Sequence, residues 1–488
     1  MQNDTLKRYI NNRHCDILGL GVSNLPLASL LCEVGITLTV RDKKSLSELG
    51  AAAEELARRG VRFVTGEGCF DAPEGELIFR SPGIRPDLPG LTRATETGAE
   101  LTSEIELFLQ LTEAQTFAVT GSDGKTTSTT LTGKFLEAEA NRSGQGKVFV
   151  GGNIGAPLLD RMGQIGAQDR AVMELSSFQL MTVRKAPHYA AITNVSPNHM
   201  DWHKGSMEEY VGAKRNIVGA QTLRLVTNAE CATTASLARE LMAERQCKGS
   251  DLPAVYLFSS KRTSFEELFP MGAGTNDRAI YERDGVIVLS DGSTEIPLLA
   301  LSHIHVPGRH NVENFMTAIA LTYGQVDPSV YPQVADGFFG VEHRLERIRT
   351  LGGVDYYNSS IDSSPSRTAA ALSALNGRDI VIICGGYDKK VSFEPLAESL
   401  CRHVRAVVLT GATGDAIGKV LRTHPRYTPG KPEIVSEPEF SEAVAAARRL
   451  ARSGGCVLLS PACASFDAFR NFAERGNTFR KIVESFEN

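Results

Sequence analysis

Short apolar runs, each ending in a polar or glycine-bearing turn, recur along the 488 residues and alternate with amphipathic stretches. This pattern predicts buried parallel strands joined by helices, because helices cover both faces of such a sheet. Residues 14–42 predict a strand, a turn at Gly19-Leu-Gly21, an apolar helix to about Val34 and a second strand ending at Asp42. We therefore predict an α/β fold that begins with a Rossmann-like domain.

The turn at Gly19 matches only part of the dinucleotide-binding pattern G-x-G-x-x-G. Gly19 and Gly21 supply the first two glycines, and Asp42 lies where a ribose-binding acid is expected, but Asn24 occupies the third glycine position. Three interpretations stay open: a site for a nucleotide diphosphate, a nicotinamide site in an oxidoreductase, or a turn with only a structural role.

The strongest chemical signal is the segment Phe117-Ala-Val-Thr-Gly-Ser-Asp-Gly-Lys-Thr-Thr127, an apolar strand followed by a turn and a helix from about Thr126. Gly121 and Gly124 allow backbone angles that direct N–H groups toward a phosphate, and the helix N-terminus favours negative charge. Lys125 would reach the terminal phosphates and Thr126 would bind Mg²⁺. The first glycine of the strict P-loop pattern is missing, so the match covers only its final G-K-T.

Two later strand ends carry side chains that suit the same site. Glu174 directly follows an apolar run, where nucleotide hydrolases commonly have an acid that binds Mg²⁺ or its water shell. His199 and His203 have a spacing typical of zinc ligands on a helix, but Pro197 argues against a helix there. By its spacing alone, Lys214 in the following helical run would be a solvated ammonium.

The last third of the chain repeats the alternation of strands and helices. Strands are predicted at residues 354–358, 379–384, 406–410 and 456–460. They suggest a second, mostly parallel sheet. We therefore predict three domains: a Rossmann-like N-terminal domain (1–108), a central P-loop ATPase-type domain (109–340) and a Rossmann-like C-terminal domain (341–488).

Composition argues against several classes of protein. The net charge is −5, with Lys and Arg spread along the chain, so nothing predicts nucleic-acid binding. The polar N-terminus does not resemble a signal peptide, and no uncharged run has the ~18 residues of a membrane helix. Nine cysteines without a C-x-x-C pair predict reduced thiols. We expect a cytoplasmic monomer without membrane insertion.

Taken together, the motifs resemble the Mur ligase family over essentially the whole chain. The following strings agree in order and spacing: Gly19-Leu-Gly21, Ser81-Pro-Gly83, Gly121-Ser-Asp-Gly-Lys-Thr-Thr127, Gly152-Asn-Ile-Gly155, Glu174-Leu-Ser-Ser-Phe-Gln-Leu180, Asn198-His-Met-Asp201, Gly308-Arg-His-Asn311, His343-Arg344 and Leu459-Ser-Pro-Ala-Cys-Ala-Ser465. The strings E-L-S-S-F-Q-L and S-P-A-C-A-S are the most specific to members that add D-glutamate. A Mur-type ligase with another acceptor is the alternative within the family, and a non-catalytic nucleotide-binding regulator is the alternative outside it.

The resemblance implies an ATP-dependent ligase that joins D-glutamate to UDP-N-acetylmuramoyl-L-alanine. This reaction belongs to cytoplasmic peptidoglycan precursor synthesis and so serves cell-wall formation, cell shape and division. The substrate carboxylate would attack the γ-phosphate of ATP to give an acyl phosphate, which the amine of D-glutamate then displaces. Phosphoryl transfer of this kind needs in-line positioning and cations spread over the developing charge.

The resemblance also implies which residues act. The catalytic residues would be Lys125, His199 and Lys214. Two Mg²⁺ ions would be bound by Thr126, Glu174, His199 and Lys214. Lys214 would first be carbamylated by CO₂, because a carbamate is an oxygen donor and an ammonium is not. ATP would contact Gly121, Asp123, Gly124, Lys125, Thr126, Thr127, Asn314 and Arg344.

Substrate-binding residues follow from the same resemblance. Those that would bind uridine diphosphate are Val22, Ser23, Asp42, Lys43 and Gly83. Those that would receive D-glutamate are Lys389, Ser465 and Phe472. Further substrate-binding residues would be Asn153, Ser176, Gln179 and Ser363.

One segment departs from the family pattern. Where N-D-S-K-A-T-N-P is common, this chain reads Asn358-Ser-Ser-Ile-Asp-Ser-Ser-Pro365, with Ser359 in place of the acid and Ile361 in place of the lysine. Ser363 keeps a hydroxyl where the family has threonine. The resemblance therefore does not imply how this loop contacts the ATP ribose or D-glutamate.

Overall fold

The computed structural model describes residues 2–248, 253–389 and 391–487. Its backbone forms two compact units, residues 1–301 with 312–334 and residues 302–311 with 335–488. Three β-sheets alternate with helices, which confirms the predicted α/β fold. The three-domain boundaries at residues 108 and 340 stay a prediction.

The first sheet lies in the N-terminal part of the first unit. Its strands are β1 (Cys15–Leu18), β2 (Leu38–Asp42), β3 (Arg62–Thr65), β4 (Leu77–Arg80) and β5 (Glu100–Thr102). The helices of this part are α1 (Gln2–Ile10), α2 (Asn24–Glu33), α3 (Leu46–Leu49), α4 (Ala51–Arg58), α5 (Pro89–Glu96) and α6 (Glu104–Leu111).

All neighbouring strands of this sheet are parallel, in the order β3-β2-β1-β4-β5. The strand order reverses between β1 and β4, and ligands of open α/β sheets bind in the crevice at such a point. The loops that follow β1 and β4 therefore share this crevice. Beneath them, the buried Asp16 on β1 pairs with Arg41 on β2, with Oδ2 of Asp16 2.8 Å from Nε of Arg41.

The second sheet is the largest. Its strands are β6 (Gln115–Thr120), β7 (Val148–Gly152), β8 (Arg170–Glu174), β9 (Tyr189–Ile192), β10 (Arg224–Asn228), β11 (Ala254–Ser259), β12 (Arg278–Arg283), β13 (Val286–Ser290) and β14 (Glu295–Ala300). The helices in this stretch of chain are α7 (Lys125–Ser143), α8 (Ser177–Leu180), α9 (Met207–Arg215), α10 (Ala232–Lys248), α11 (Phe265–Leu268), α12 (Arg309–Thr322) and α13 (Val330–Asp336). Two 3₁₀ segments cover Leu158–Gln164 and Leu301–His303.

The nine strands follow the order β14-β13-β12-β11-β10-β9-β6-β8-β7. The strands from β7 to β12 are parallel, whereas β13 is antiparallel to both of its neighbours. The edge strand β14 contains Pro297. One continuous apolar cluster includes side chains of the first two sheets, such as Ile17, Phe79, Phe149 and Leu225, which explains why both sheets belong to one unit.

The third sheet lies in the second unit. Its strands are β15 (Glu346–Leu351), β16 (Val354–Asn358), β17 (Ile380–Cys384), β18 (Val404–Leu409), β19 (Glu433–Ser436) and β20 (Cys456–Leu459). The accompanying helices are α14 (Pro365–Ala374), α15 (Glu394–His403), α16 (Gly414–Thr423), α17 (Phe440–Leu450) and α18 (Phe472–Glu484). The order is β15-β16-β20-β17-β18-β19, and only β15 is antiparallel to its neighbour. The predicted mostly parallel sheet is confirmed, with β15 and β19 as additional strands.

Two expectations from composition, about the cysteines and about membrane helices, can be compared with the structure. All nine cysteines are free thiols, and five of them are buried. Within the part of the chain that the structure describes, no helix is both long enough and apolar enough to cross a membrane.

Candidate active site

Four adjacent parallel strands of the second sheet, β7, β8, β6 and β9, carry the polar side chains singled out in the sequence. Because the carboxyl ends of parallel strands meet at one edge of a sheet, the loops that follow them lie side by side. Asn153, the turn at residues 121–124 and His199 lie in the loops after β7, β6 and β9, and Glu174 is the last residue of β8. The strand order thus brings separate sequence motifs to one edge.

The turn at residues 121–124 requires glycine at both ends. Gly121 has φ = 149°, and a Cβ there would lie 1.9 Å from Oγ1 of Thr193. Gly124 has φ = 77°, and its Cβ would lie 2.4 Å from Oδ1 of Asn314. The helix α7 then begins at Lys125, one residue before the predicted start, so its N-terminal N–H groups adjoin the turn.

Lys125 lies folded over this turn. Its Nζ donates to the carbonyl oxygens of Gly121 at 3.0 Å and Ser122 at 2.8 Å. Thr126 is half-buried and Thr127 is buried on the first turn of α7, whereas Asp123 is exposed. The turn therefore presents an ammonium, hydroxyls and a helix N-terminus, which are groups that bind phosphate.

Glu174 at the end of β8 is 2% exposed. Its Oε1 accepts a hydrogen bond from Nδ2 of Asn153 at 2.7 Å. Its Oε2 is also buried, and it has no hydrogen-bond partner among the described residues. A buried polar atom without a partner is costly, so this oxygen is suited to a cation or an ordered water.

Lys214 on α9 is 2% exposed, so the expectation from spacing alone, a solvated ammonium, is wrong. Its Nζ donates to the carbonyl oxygen of Gly121 at 2.8 Å and lies 4.5 Å from the ring centroid of Tyr210. Burial, aided by the positive charge of Lys125, lowers the pKa of Lys214 to about 7, against a smaller opposite effect of Asp123. A large fraction of this amine is therefore neutral near pH 7.

The loop after β9 places its two histidines differently. His199 is exposed, has φ = 53°, and its ring centroid lies 5.1 Å from that of Phe178. His203 is fully buried. No helix spans the two histidines, as Pro197 indicated, and no group of three His, Cys, Asp or Glu side chains suited to a metal occurs in the described ranges.

The first-sheet loops hold the residues predicted for uridine diphosphate. Asp42 accepts hydrogen bonds from the backbone N–H groups of Leu20 at 2.7 Å and Lys44 at 2.9 Å, so its carboxylate links the ends of β1 and β2. Asn24, at the position of the missing third glycine, donates to the Gly19 carbonyl oxygen at 2.9 Å. The exposed groups beside this loop are Val22, Lys43 and Gly83, and Ser23 is half-buried.

Ser176 and Gln179 form a capping box at the start of α8. The Gln179 N–H donates to Oγ of Ser176 at 3.3 Å, and the Ser176 N–H donates to Oε1 of Gln179 at 2.9 Å. This contact fixes the turn directly after Glu174.

Arg80, which belongs to no motif singled out in the sequence, is 1% exposed. Its guanidinium donates to the carbonyl oxygens of Ser81 at 3.2 Å, Pro82 at 3.1 Å and Phe178 at 2.6 Å. Burial lowers its pKa to about 10. Arg80 thus fastens the Ser-Pro-Gly turn of the first sheet to α8 of the second, and its only sequence signal is its position next to that turn.

In the second unit, Lys389 and Ser465, which are predicted to receive D-glutamate, lie in loops at the carboxyl edge of the third sheet, and Phe472 is the first residue of α18. Tyr387, two residues before Lys389, donates its N–H to the Ala464 carbonyl oxygen at 2.9 Å, beside Ser465. Lys389 is exposed, Ser465 is buried and Phe472 is 39% exposed. Two of the predicted loops therefore meet.

The loop after β16 and the start of α18 border the same edge. Arg344 and Ser363 are half-buried. Oδ2 of Asp362 accepts from Oγ of Ser460 at 2.8 Å, and burial raises the pKa of this carboxyl. Arg475, which the sequence analysis missed, is 2% exposed and donates to the carbonyl oxygens of Ser360 at 2.9 Å and Cys463 at 3.1 Å.

A parallel sheet with a glycine-bearing turn, a lysine at the start of the next helix and an acid at the end of the adjacent strand defines a nucleotide-binding protein of the P-loop type. Residues 119–322 match the family model of the Mur ligase middle domain, and residues 343–463 match that of the Mur ligase glutamate ligase domain. The chain belongs to the Mur ligase family, as its motifs predicted.

Individual relatives extend this similarity over the whole chain. A UDP-N-acetylmuramoylalanine–D-glutamate ligase of Acetivibrio thermocellus is 42% identical over 486 residues, covering 99% of this chain and 98% of the relative. The ligase of the same name from Ruminiclostridium cellulolyticum is 40% identical over 490 residues and covers 99% of both chains. The crystal structure of UDP-N-acetylmuramate–alanine ligase from Thermotoga maritima has the same fold, with a TM-score of 0.53 at 17% identity, covering 97% of this chain and 99% of that one.

The close approach at Gly124 gives a first prediction. Gly124→Ala should weaken ATP binding about tenfold or more, because a side chain at positive φ is strained and its Cβ would collide with Asn314. The measurement is a titration with a fluorescent ATP analogue. Gly212→Ala on α9, where a Cβ meets nothing within 4 Å, is the matched control and should bind normally. Equal affinities for both variants would contradict the assigned role of Gly124.

The burial of Lys214 gives a second prediction. The unfolded chain holds the Lys214 proton up to about pH 10.5, whereas the folded chain releases it near pH 7. The free energy of unfolding of the wild type therefore gains a contribution from Lys214 as pH rises from 7 to 10.5. The variant Lys214→Met lacks the amine and does not gain this contribution. The measurement is the urea concentration at the midpoint of unfolding in CO₂-free buffer. The midpoint of Lys214→Met should exceed that of the wild type by the largest amount below pH 7, and the difference should shrink at higher pH. The control is Lys134→Met at an exposed position, whose midpoint should follow that of the wild type at each pH. A difference between Lys214→Met and wild type that does not change with pH would refute the neutral buried amine.

Proposed function

We propose that this chain joins D-glutamate to UDP-N-acetylmuramoyl-L-alanine in peptidoglycan precursor synthesis, with conversion of ATP to ADP and phosphate. The observation that carries this proposal is the similarity of 40% identity or more over 99% of the chain to two ligases of that name. In the first step the substrate carboxylate oxygen attacks the γ-phosphorus, and ADP leaves. In the second the D-glutamate nitrogen attacks the acyl carbon, phosphate leaves and the amine loses a proton.

The phosphate loop supplies the positive groups for the first step. The ammonium of Lys125 and the N–H groups at the start of α7 would bind the phosphates, with Gly121, Asp123, Gly124 and Thr127 shaping the loop. Asn314 approaches Gly124 so closely that it lines the same loop, which supports its assignment to ATP. Positioning and charge stabilisation of this kind are the main requirements of phosphoryl transfer.

The residues around Glu174 fit a magnesium site. The buried Oε2 of Glu174 lacks a partner among the residues described, and Mg²⁺ is commonly held by one or two carboxylates together with substrate phosphates. Thr126 and Glu174 would hold one ion, and His199 and Lys214 a second. Magnesium, when bound, stabilises the charge that develops on the transferred phosphoryl group.

Lys214 would enter this site as a carbamate. Its amine is partly neutral near pH 7, and a neutral amine can add to CO₂, forming an N–C bond and releasing a proton. The product is an oxygen donor, which Mg²⁺ accepts, whereas an ammonium is not. The burial of this amine beside the phosphate loop supports the proposal.

The two other substrates would be bound by loops of the first and third sheets. Those proposed for the UDP substrate are Val22, Ser23, Asp42, Lys43, Gly83, Asn153, Ser176 and Gln179. Those proposed for D-glutamate and ATP in the second unit are Arg344, Ser363, Lys389, Ser465 and Phe472. Lys389 would pair with a D-glutamate carboxylate through a charge-assisted hydrogen bond.

An amino-acid panel tests the acceptor. With ATP, Mg²⁺ and UDP-N-acetylmuramoyl-L-alanine, D-glutamate should give phosphate release at a rate far above that with L-alanine, L-lysine or D-alanyl-D-alanine. The measurement is initial rate of phosphate release, with the product identified by mass. Equal turnover with L-lysine would favour the alternative, a Mur-type ligase with another acceptor.

Removing the amine tests the carbamate. Lys214→Ala should abolish turnover, because the oxygen donor to the metal is lost, and acetate or another short carboxylate should restore part of it. The exposed Lys134→Ala should behave as wild type at every acetate concentration. Full activity of Lys214→Ala without acetate would contradict the proposed role.

A further inference from the structure

A series of polar contacts joins the loop after β4 to the elements that carry Glu174, His199 and Lys214. It begins at Arg85, two residues after the Ser-Pro-Gly turn. The guanidinium of Arg85 donates through Nη2 to Oε1 of Glu209 at 2.6 Å and through Nη1 to Oε2 at 3.3 Å. Glu209 lies in the first turn of α9, the helix that carries Lys214.

The series continues from Glu209 into the loop of His199. Oε2 of Glu209 lies 3.2 Å from Nδ1 of the buried His203, and Nε2 of His203 lies 3.0 Å from Oγ of Ser177. The carboxylate of Glu209 can only accept, so Nδ1–H of His203 donates to it, and Nε2 on the other side of the ring pairs with the hydroxyl of Ser177. Ser177 is the first residue of α8, directly beyond the turn that follows Glu174.

Aromatic contacts run alongside these hydrogen bonds. The guanidinium carbon of Arg85 lies 4.9 Å from the ring centroid of Trp202, and its Nη1 also donates to the Trp202 carbonyl oxygen. The Trp202 ring packs against Phe178 at 4.3 Å, and Phe178 in turn contacts His199 at 5.1 Å. The position of Arg85 is thus linked to the histidine side chain by two ring contacts.

Arg85 is itself held firmly. Asp87 accepts from its Nε at 2.8 Å and from its Nη2 at 2.9 Å, and Lys204 pairs with Asp87 from the opposite loop. The Arg85 side chain is only 16% exposed. Its hydrogen bonds, together with its charge, lower the pKa of the Glu209 carboxyl. Planar two-pronged pairing of arginine with a carboxylate fixes direction as well as distance.

We propose that Arg85, Glu209 and His203 are positioning residues that set the substrate-binding loop of the first sheet against the phosphate-binding edge of the second. This inference rests on the proposed function, in which a carboxylate bound by one sheet attacks a phosphate bound by the other. Such a reaction tolerates little misplacement, because an error of about 1 Å can cost about a hundredfold in rate. The same contacts hold α8, α9 and the His199 loop together, so they also set the spacing of the proposed magnesium-binding residues.

Kinetics of Arg85→Met and Glu209→Gln test the role. Each variant should lower kcat/KM for the UDP substrate between about tenfold and a hundredfold and raise the Mg²⁺ concentration for half-maximal activity. KM for D-glutamate, which would bind in the second unit, should stay within about twofold. The double variant should be no worse than the worse single variant, since both break one contact. Arg85→Lys, which keeps the charge without the two-pronged contact, should recover part of the loss.

The matched control is Arg62→Met, which removes an exposed Arg62–Glu74 pair of the same sheet with a 2.9 Å contact. It should leave every constant unchanged. A merely structural effect of Arg85→Met would lower the folded fraction and hence all rates equally, with each KM and the Mg²⁺ requirement unchanged. That result would overturn the proposal. If Arg85→Met does not fold, the same rate and Mg²⁺ measurements on Glu209→Gln provide the test.

The single tryptophan of the chain gives a readout without substrates. Arg85→Met should shift the Trp202 emission and increase its quenching by acrylamide, because the guanidinium no longer covers the ring. Shifted emission with wild-type kinetics would refute the positioning role, and unchanged emission with unchanged kinetics would refute the contact as well. If wild type shows no turnover with any acceptor, the proposed function fails, and unchanged emission would then refute the contact independently.

Discussion

The hydrogen bond from Lys214 to the Gly121 carbonyl oxygen is the contact on which the central site depends. It joins α9 to the turn that ends β6, and it lies where water is excluded. Burial, aided by the positive charge of Lys125, lowers the pKa of Lys214 to about 7, so the location of this amine favours its neutral form more than water does. The shape of the turn at residues 121–124, the position of α9 and the pKa of Lys214 are therefore coupled.

Much of the fold could be predicted because buried parallel strands are apolar along their whole length. The strand predicted at 354–358 coincides with β16, and α7 begins within one residue of its predicted start. The strands β15 and β19 were missed for the converse reason. Apart from the buried Leu351, their residues are half-buried or exposed, and Arg347, Arg349 and Thr350 interrupt the apolar residues of β15, so neither strand presents a continuous apolar run.

The site was predictable only as far as local motifs extend. The glycine turn follows β6 and Glu174 ends β8, as their spacing indicated, whereas spacing alone gave a solvated Lys214, which the structure buries. Contacts between distant parts of the chain could not be predicted. Arg80 binds Phe178, which is 98 residues away, and Arg475 lies beneath loops formed by residues 360 and 463. No short pattern encodes such partners, because they follow from how separate elements pack.

The edge strand β14 has a consequence for concentrated solutions of the protein. An open sheet edge can pair with a strand of another molecule and so start intermolecular aggregation. Pro297 cannot donate a backbone hydrogen bond, and Glu295, whose Oε1 lies 2.6 Å from Nη1 of Arg283, adds charge at the same edge. A residue without a backbone donor and a charged side chain both disfavour continuation of this sheet by a second copy, and so disfavour amyloid-like stacking.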